Sequence, residues 1–289
     1  MSPPDPRLNA WREDLAAEAL RGIVDAPRYA APRRARVVAP TAPMRSRPGA
    51  AGLAHELIFG AHVDVYDEAG GEAWVQAAED GYVGYVPAKT LAAPGAAATH
   101  RVAARLAPLH DAPELKTAPI AHLPFNARLS GEIVTEEGTA GGASNRRWLR
   151  CTDGCVPAPL VEPLDAPAPD WVAEAEALIG APYVWGGATP LGLDCSALIQ
   201  IARRAADLSC PRDSDHQQAA CAPVQSRPLA RGDLAFWPGH VGVMTDAETL
   251  LHANAHHMAV AREPLAGAVQ RIEACGGGAP SAFGRLPDA

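Results

Sequence analysis

The stretch GAPYVWGGATPLGLDCSALIQ, residues 180–200, decides how this chain is read. Pro182, Gly186, Gly187, Pro190 and Gly192 set a loop, and Ala197-Leu198-Ile199 after it reads as the start of a buried helix. The loop delivers Cys195 to the first turn of that helix. Unpaired N–H groups and the positive end of the helix dipole there favour thiolate over thiol, and thiolate is the nucleophile. A buried structural cysteine is the competing reading of the same pattern. The rest of the chain weighs between the two.

Working outward, 289 residues suffice for two or three domains, and 48% apolar with 20% charged residues is ordinary for a globular protein. A formal charge of −8 and a pI near 5.7 argue against a nucleic-acid partner. The opening MSPPDPRLNAWREDLAAEAL lacks a basic start followed by an apolar core, and no apolar run approaches the ~18 residues of a membrane span. A cytoplasmic protein without membrane contact is therefore expected. Six cysteines in a chain of this size do not make a disulfide framework. Cys151 and Cys155 bracket Thr-Asp-Gly, but no second pair follows at zinc spacing, so reduced thiols and no metal or cofactor are expected. The sequence sets no oligomeric state.

Residues 1–35 are rich in Pro, Ala and Arg, and Leu8, Trp11, Leu15 and Leu20 give a loose helical stripe. It predicts one short helix over about 7–22, with a disordered arm as the alternative. From Arg36 short runs rich in Val, Tyr, Phe and Trp alternate with Gly, Pro and Asp turns, the pattern of a small antiparallel barrel. After an Ala/Pro/Gly linker at 92–98 the same order returns: early strand, Pro-bearing loop, polar hairpin, Trp-bearing strand, Gly turn, Val-Pro. Two barrels, 36–93 and 99–163, are expected, ended by the linker DAPAP at 165–169. The region 170–289 mixes helices and strands in α+β order. WVAEAEALIG places Val172, Ala175, Leu178 and Ile179 on one helical face; GDLAFWPGHVGVMTD, TLLHANAH and HMAVAREPL read as antiparallel strands, and EPLAGAVQRI as a closing helix.

His240 opens a strand among apolar residues and glycines, and His252 sits in the next apolar run, Leu250-Leu251-His252-Ala253-Asn254. Alone, each reads as a satisfied core histidine. Beside Cys195 they read as a general base and a third group that orients it. His256 and His257 read as solvated loop residues.

The pieces YVWGG (183–187), GLDCS (192–196), the strand pair GDLAFWPG and HVGVM, and LLHAN (250–254), in that order, resemble the NlpC/p60 family of cell-wall cysteine peptidases. The resemblance implies a papain-like α+β catalytic domain over 170–289, with Cys195 as nucleophile, His240 as general base and acid, and His252 as the orienting residue. An oxyanion hole would use the Cys195 backbone N–H and a second donor, for which Tyr183 is the candidate, with Trp185 and Ser196 in the same substrate loop. Within 80–87, GYVGYVP resembles the closing strand of a bacterial SH3-like domain. Two such domains ahead of the catalytic one resemble the layout of γ-D-glutamyl-L-diamino acid endopeptidases of the dipeptidyl-peptidase VI type.

That subgroup implies hydrolysis of the bond between γ-D-Glu and a diamino acid, in short murein peptides with a free N-terminal L-Ala, during cell-wall peptide recycling. By the same resemblance Asp213, with Asp215 as runner-up, binds the substrate's α-amine, and Glu56 and Tyr82 of the first barrel close the far end of the site. Read as residues, Asp213 is equally a cap for the helix that follows. Two departures stand out: Ala61 where the subgroup often has Glu, and Ala197 where the family usually has Gly. An amidase or acyltransferase on the same scaffold, or a non-catalytic peptidoglycan-binding protein, are the other readings; the intact Cys195, His240 and His252 weigh against the last.

Overall fold

The computed structural model describes residues 3–136, 145–225 and 228–288. The chain divides into two compact units, Met1–Ala166 and Pro167–Ala289.

The first unit opens differently from its sequence expectation. Residues 7–22 form no α-helix. Trp11–Arg12 and Leu15–Ala17 pair as a two-residue-loop hairpin, Glu18–Leu20 is a single 3-10 turn, and Tyr29–Ala30 adds a third, parallel strand. The reason is tertiary. Leu15 and Ala17 pack with Trp74 and Val83 of the barrel that follows. Val83 donates its backbone N–H to the Arg7 carbonyl at 2.8 Å, and Gln76 Nε2 donates to the Leu8 carbonyl at 2.8 Å. A helix would turn half of these groups away.

A five-stranded sheet follows, in the order 91–92, 33–37, 62–69, 72–77, 83–87, with a separate hairpin of Thr41–Met44 and His55–Ile58. Alternate residues of these strands fill one core, including Val37, Met44, Leu57, Val63, Val75 and Val86. The first strand starts at Arg33, so the boundary expected at residue 36 falls inside it.

Over 99–163 the element order repeats. One strand (His100–Val102) precedes a hairpin (Leu106–Leu109 with Ala121–Pro124) and a meander (Gly131–Thr135, Arg147–Cys151, Gly154–Pro157). A 3-10 turn (Ala158–Leu160) then leads to a last strand, Val161–Pro163, that returns to pair with the first. The tip of the expected polar hairpin, 137–144, lies outside the described residues.

The second unit is built on a six-stranded antiparallel sheet in the order 222–223, 282–285, 234–237, 240–244, 249–254, 259–264. Helix α1 (Trp171–Glu176) is capped by Asp170, whose carboxylate accepts from the Val172 N–H, and it buries Val172 and Ala175. Helix α2 (Cys195–Ala205) is almost wholly buried and lies against α1 and the strands 240–244 and 249–254. Helix α3 (Ser214–Ala220) and helix α4 (Leu265–Ala274) complete the unit. The sequence reading overlooked the strand Ala282–Arg285, which enters the sheet beside 234–237. Among the described residues no helix is long and apolar enough to cross a membrane.

Candidate active site

Helix α2 starts at Cys195 because Asp194 caps it. One carboxylate oxygen of Asp194 accepts from the Ala197 N–H at 2.9 Å and the other from the Gly186 N–H at 3.0 Å, so a single side chain fastens the glycine loop to the helix. Arg212, 1% exposed, forks onto the same carboxylate at 3.0 and 2.7 Å. Burial works to raise the Asp194 carboxyl, but the charge and hydrogen bonds of Arg212 prevail and hold it below the usual range. Gln217 Nε2 donates to the carbonyls of Ser196 and Pro211, each at 2.9 Å, and ties the start of α3 to the same junction. Neither Arg212 nor Gln217 was singled out from sequence, although Arg212 adjoins Asp213, which was.

Cys195 is buried at the head of α2. Burial first, and the negative charge of Asp194 second, push its thiol up to about 12; the backbone N–H groups of Val241 and Ser196 act on the sulfur in the opposite sense. The expectation of a thiolate favoured by the helix terminus is corrected here. Desolvation outweighs the terminus, and the resting group is a thiol.

Val241, which acts on that sulfur, follows His240 directly. The turn Pro238-Gly239, with Gly239 at φ +73°, folds strand 240–244 back on 234–237 and puts His240 at its start. His240 Nε2 lies 2.9 Å from His252 Nδ1. His252, with no exposed surface, lies 2.8 Å from Glu263 Oε1 through its Nε2, and Arg271 of α4 donates to that same oxygen. A Cβ on Gly242 would stand 3.0 Å from His252 Cβ and 2.8 Å from Leu250 Cδ1, so only glycine admits the two strands at this spacing. Burial, then the neighbouring His252 and Arg271 charges, push His240 down to about 3. Burial also brings His252 down to about 4, against the pull of Glu263. Both rings are neutral at pH 7.

Glu263 and Arg271 were missed in the sequence. The signal for Glu263 was available: Ala261 is the register partner of His252, and Glu263, two residues on, shares its face.

The Tyr183 phenol is driven up to about 12 by burial and then by the charges of Cys195 and Asp194, so it stands near the nucleophile. Trp185 is 69% exposed. Ser196 departs from its expected place in the substrate loop. Its hydroxyl turns inward, donating to Asp194 at 3.2 Å and accepting from Arg212 at 3.0 Å. Asp213 occupies the N-cap position of α3, yet its side chain makes no capping hydrogen bond. His256 and His257 are exposed, as expected.

In the first unit, Glu56 is half-buried on strand His55–Ile58. Tyr82 is 6% exposed and packs edge-on against His55 with ring centroids 5.6 Å apart, so its ring belongs to the barrel core. Among the described residues two clusters have metal-ligand spacing: His252, His257 and Glu263, and Asp213, Asp215 and His216. In the first, the Arg271 cation on Glu263 opposes a divalent ion.

Residues 180–272 match the NlpC/P60 family, and residues 44–91 match the bacterial dipeptidyl-peptidase Sh3 domain. A probable endopeptidase of Mycobacterium tuberculosis is 33% identical over 113 residues, 37% of this chain and 29% of that protein. A γ-D-glutamyl-L-lysine dipeptidyl-peptidase of Bacillus cereus is 28% identical over 99 residues, 32% of this chain and 28% of that protein. This chain thus spans less than a third of the length of these curated relatives. An NlpC/P60 family protein from Bacillus cereus, solved by crystallography, superposes with a TM-score of 0.68 at 19% identity over 81% of this chain and 94% of its own, a likeness of fold. The chain therefore carries an N-terminal SH3-like domain of the bacterial dipeptidyl-peptidase type and a C-terminal domain of the NlpC/P60 family.

Proposed function

We propose that this protein is a cysteine peptidase that hydrolyses the bond between γ-D-Glu and a diamino acid in short murein peptides with a free N-terminal L-Ala. The observation that carries this reading is the hydrogen-bonded line His240–His252–Glu263, whose two histidine strands pack against the helix that Cys195 opens. Cys195 is the nucleophile, His240 the base and acid, and His252 the residue that orients His240. As the sulfur attacks the amide carbonyl, the thiol proton passes to His240. The C–N bond then breaks, the leaving amine takes that proton, and a γ-glutamyl thioester remains. Water activated by the same imidazole releases the acid and frees the thiol.

The γ-glutamyl specificity is supported by relatives' names: two dipeptidyl-peptidases for γ-D-glutamyl-L-lysine and a γ-DL-glutamyl hydrolase of Bacillus subtilis. In this reading the catalytic domain is papain-like, with a cysteine helix against an antiparallel sheet that holds the histidines. Residues 99–163, by their repeated element order, form a second SH3-like barrel. Asp213 takes the substrate's α-ammonium; its segment is joined to the nucleophile's through Arg212 and Asp194. Six free thiols suit a reducing compartment, and we place the reaction in cytoplasmic peptide recycling.

The test is incubation of the full chain with L-Ala-γ-D-Glu-meso-diaminopimelate and mass spectrometry of the products. L-Ala-γ-D-Glu and free diaminopimelate are expected. An intact tripeptide, with release of amine from some other amide substrate, would overturn the assignment.

A further inference from the structure

The line of hydrogen bonds behind His240 does not stop at His252. It runs on to Glu263 at 2.8 Å and from there to Arg271, and every heavy-atom link has a direction that elementary chemistry dictates. An ionised carboxylate only accepts, and a guanidinium only donates. Arg271 donates to Glu263 Oε1, which keeps that carboxylate in its ionised form. The His252 Nε2 that faces the same oxygen must therefore carry a proton. A neutral imidazole carries only one, so His252 Nδ1 is bare and accepts. His240 Nε2, 2.9 Å from that bare nitrogen, must donate to it. Its own Nδ1 is then the bare nitrogen.

We infer that Glu263, held by Arg271, is a positioning residue that sets the tautomer of both imidazoles and leaves His240 Nδ1 as the proton acceptor for the Cys195 thiol. This rests on the peptidase reading and deepens it. Without Glu263, His252 can move its proton to Nδ1. That proton would face the Nε2–H of His240, and the pair would relax by placing the His240 proton on Nδ1, the nitrogen needed as base. A carboxylate at this place does more than hold a ring still. It excludes the wrong protonation of a histidine two hydrogen bonds away. It also stabilises the positive charge that reaches the two rings when the thiol proton arrives.

The placement has a structural cause. Strands 249–254 and 259–264 pair in register with His252 opposite Ala261, so Glu263 lies diagonally across from His252 on the same face. Helix α4 starts directly after that strand, at Leu265, and Arg271 lies on it within reach of Glu263.

The experiment compares the full-length chain with Glu263→Ala, Glu263→Met and Glu263→Gln. Two readouts are taken: 15N spectra of histidine-labelled protein, which separate protonated from bare ring nitrogens, and steady-state kinetics on the tripeptide. The Met variant keeps side-chain volume in case the Ala variant folds poorly. Gln keeps an oxygen that can accept from both His252 and Arg271. Wild type should show protonated Nε2 and bare Nδ1 on both rings. The Ala and Met variants should show mixed tautomers, and kcat should fall roughly 10–100-fold, the usual worth of a group that orients a functional histidine, with KM within about two-fold. Gln should recover the wild-type tautomers and most of kcat. A wild-type ring spectrum in the folded Met variant, or failure of Gln to restore either readout, would overturn the inference. The spectrum needs no substrate. If the wild-type chain cleaved no γ-glutamyl peptide, the peptidase reading would fall while the ring spectrum still decided the positioning.

Discussion

Arg212 forks onto Asp194 at 3.0 and 2.7 Å inside the protein, and through this pair the segment that carries Asp213 is joined to the one that carries Cys195. Both side chains are buried, so neither charge has water as an alternative partner. Arg212→Met leaves the Asp194 carboxylate without its cation. Removing one partner of such a pair costs about 3–5 kcal/mol. Thermal or urea unfolding should report a loss in that range, and activity should fall even where the variant is folded, because Asp194 also caps the cysteine helix. A variant of wild-type stability would mean that the pair contributes nothing net.

Cys195→Ala should abolish turnover on the γ-D-glutamyl tripeptide and keep the fold, since alanine is a good helix former and the site is buried. The comparison is product formation alongside the circular dichroism of the same sample. Near wild-type activity would exclude the thiol mechanism.

His240→Ala should be nearly as damaging as Cys195→Ala, and His252→Ala milder, because water can partly replace an orienting group. Both measurements use kcat/KM on the same tripeptide. The reverse order would show that the two roles are exchanged.

Stability should fall on the acid side of neutrality. In the unfolded chain a histidine titrates near 6.5, whereas in the fold burial brings His240 and His252 to about 3 and about 4. Between those limits the unfolded chain binds more protons, so stability declines as pH drops from about 6.5 toward 4. Cys195 acts at the other end: its thiol, pushed up to about 12, stays protonated above pH 9 while the unfolded thiol ionises, and stability declines as pH rises. Urea midpoints from pH 4 to 10 test both limbs. Cys195→Ala should reduce the alkaline limb, to which the Cys221 thiol, pushed up to about 11 by burial, also contributes, and leave the acid one.

Under the proposed function, in which Asp213 binds the substrate's α-ammonium, wild type should cleave the free tripeptide and spare its N-acetylated form, because acetylation removes that charge. Asp213→Asn should lower kcat/KM on the free peptide by roughly 10- to 150-fold, the equivalent of ~1.5–3 kcal/mol for a charge-assisted hydrogen bond. Equal rates on the two peptides by wild type would refute recognition of the N-terminus.

The sequence by itself determined the parts that depend on local pattern. The glycine-rich loop, the apolar helix at Cys195 and the strand-borne His240 and His252 were legible because turn residues, helix starts and period-two alternation are properties of neighbouring positions. The repeated strand order was legible for the same reason, although the first expected boundary, at residue 36, falls inside the strand Arg33–Val37. What only the tertiary structure decided depends on residues far apart in the chain. Leu15 and Ala17 became strand because a barrel surface bearing Trp74 and Val83 was there to bury them, against a spacing that suited a helix equally well. Arg212 found Asp194, and Glu263 found His252, through strand register and helix placement that no short window contains. The protonation of Cys195 was decided there as well. The helix start favours thiolate, but the depth of burial, set by everything packed around α2, favours thiol by more.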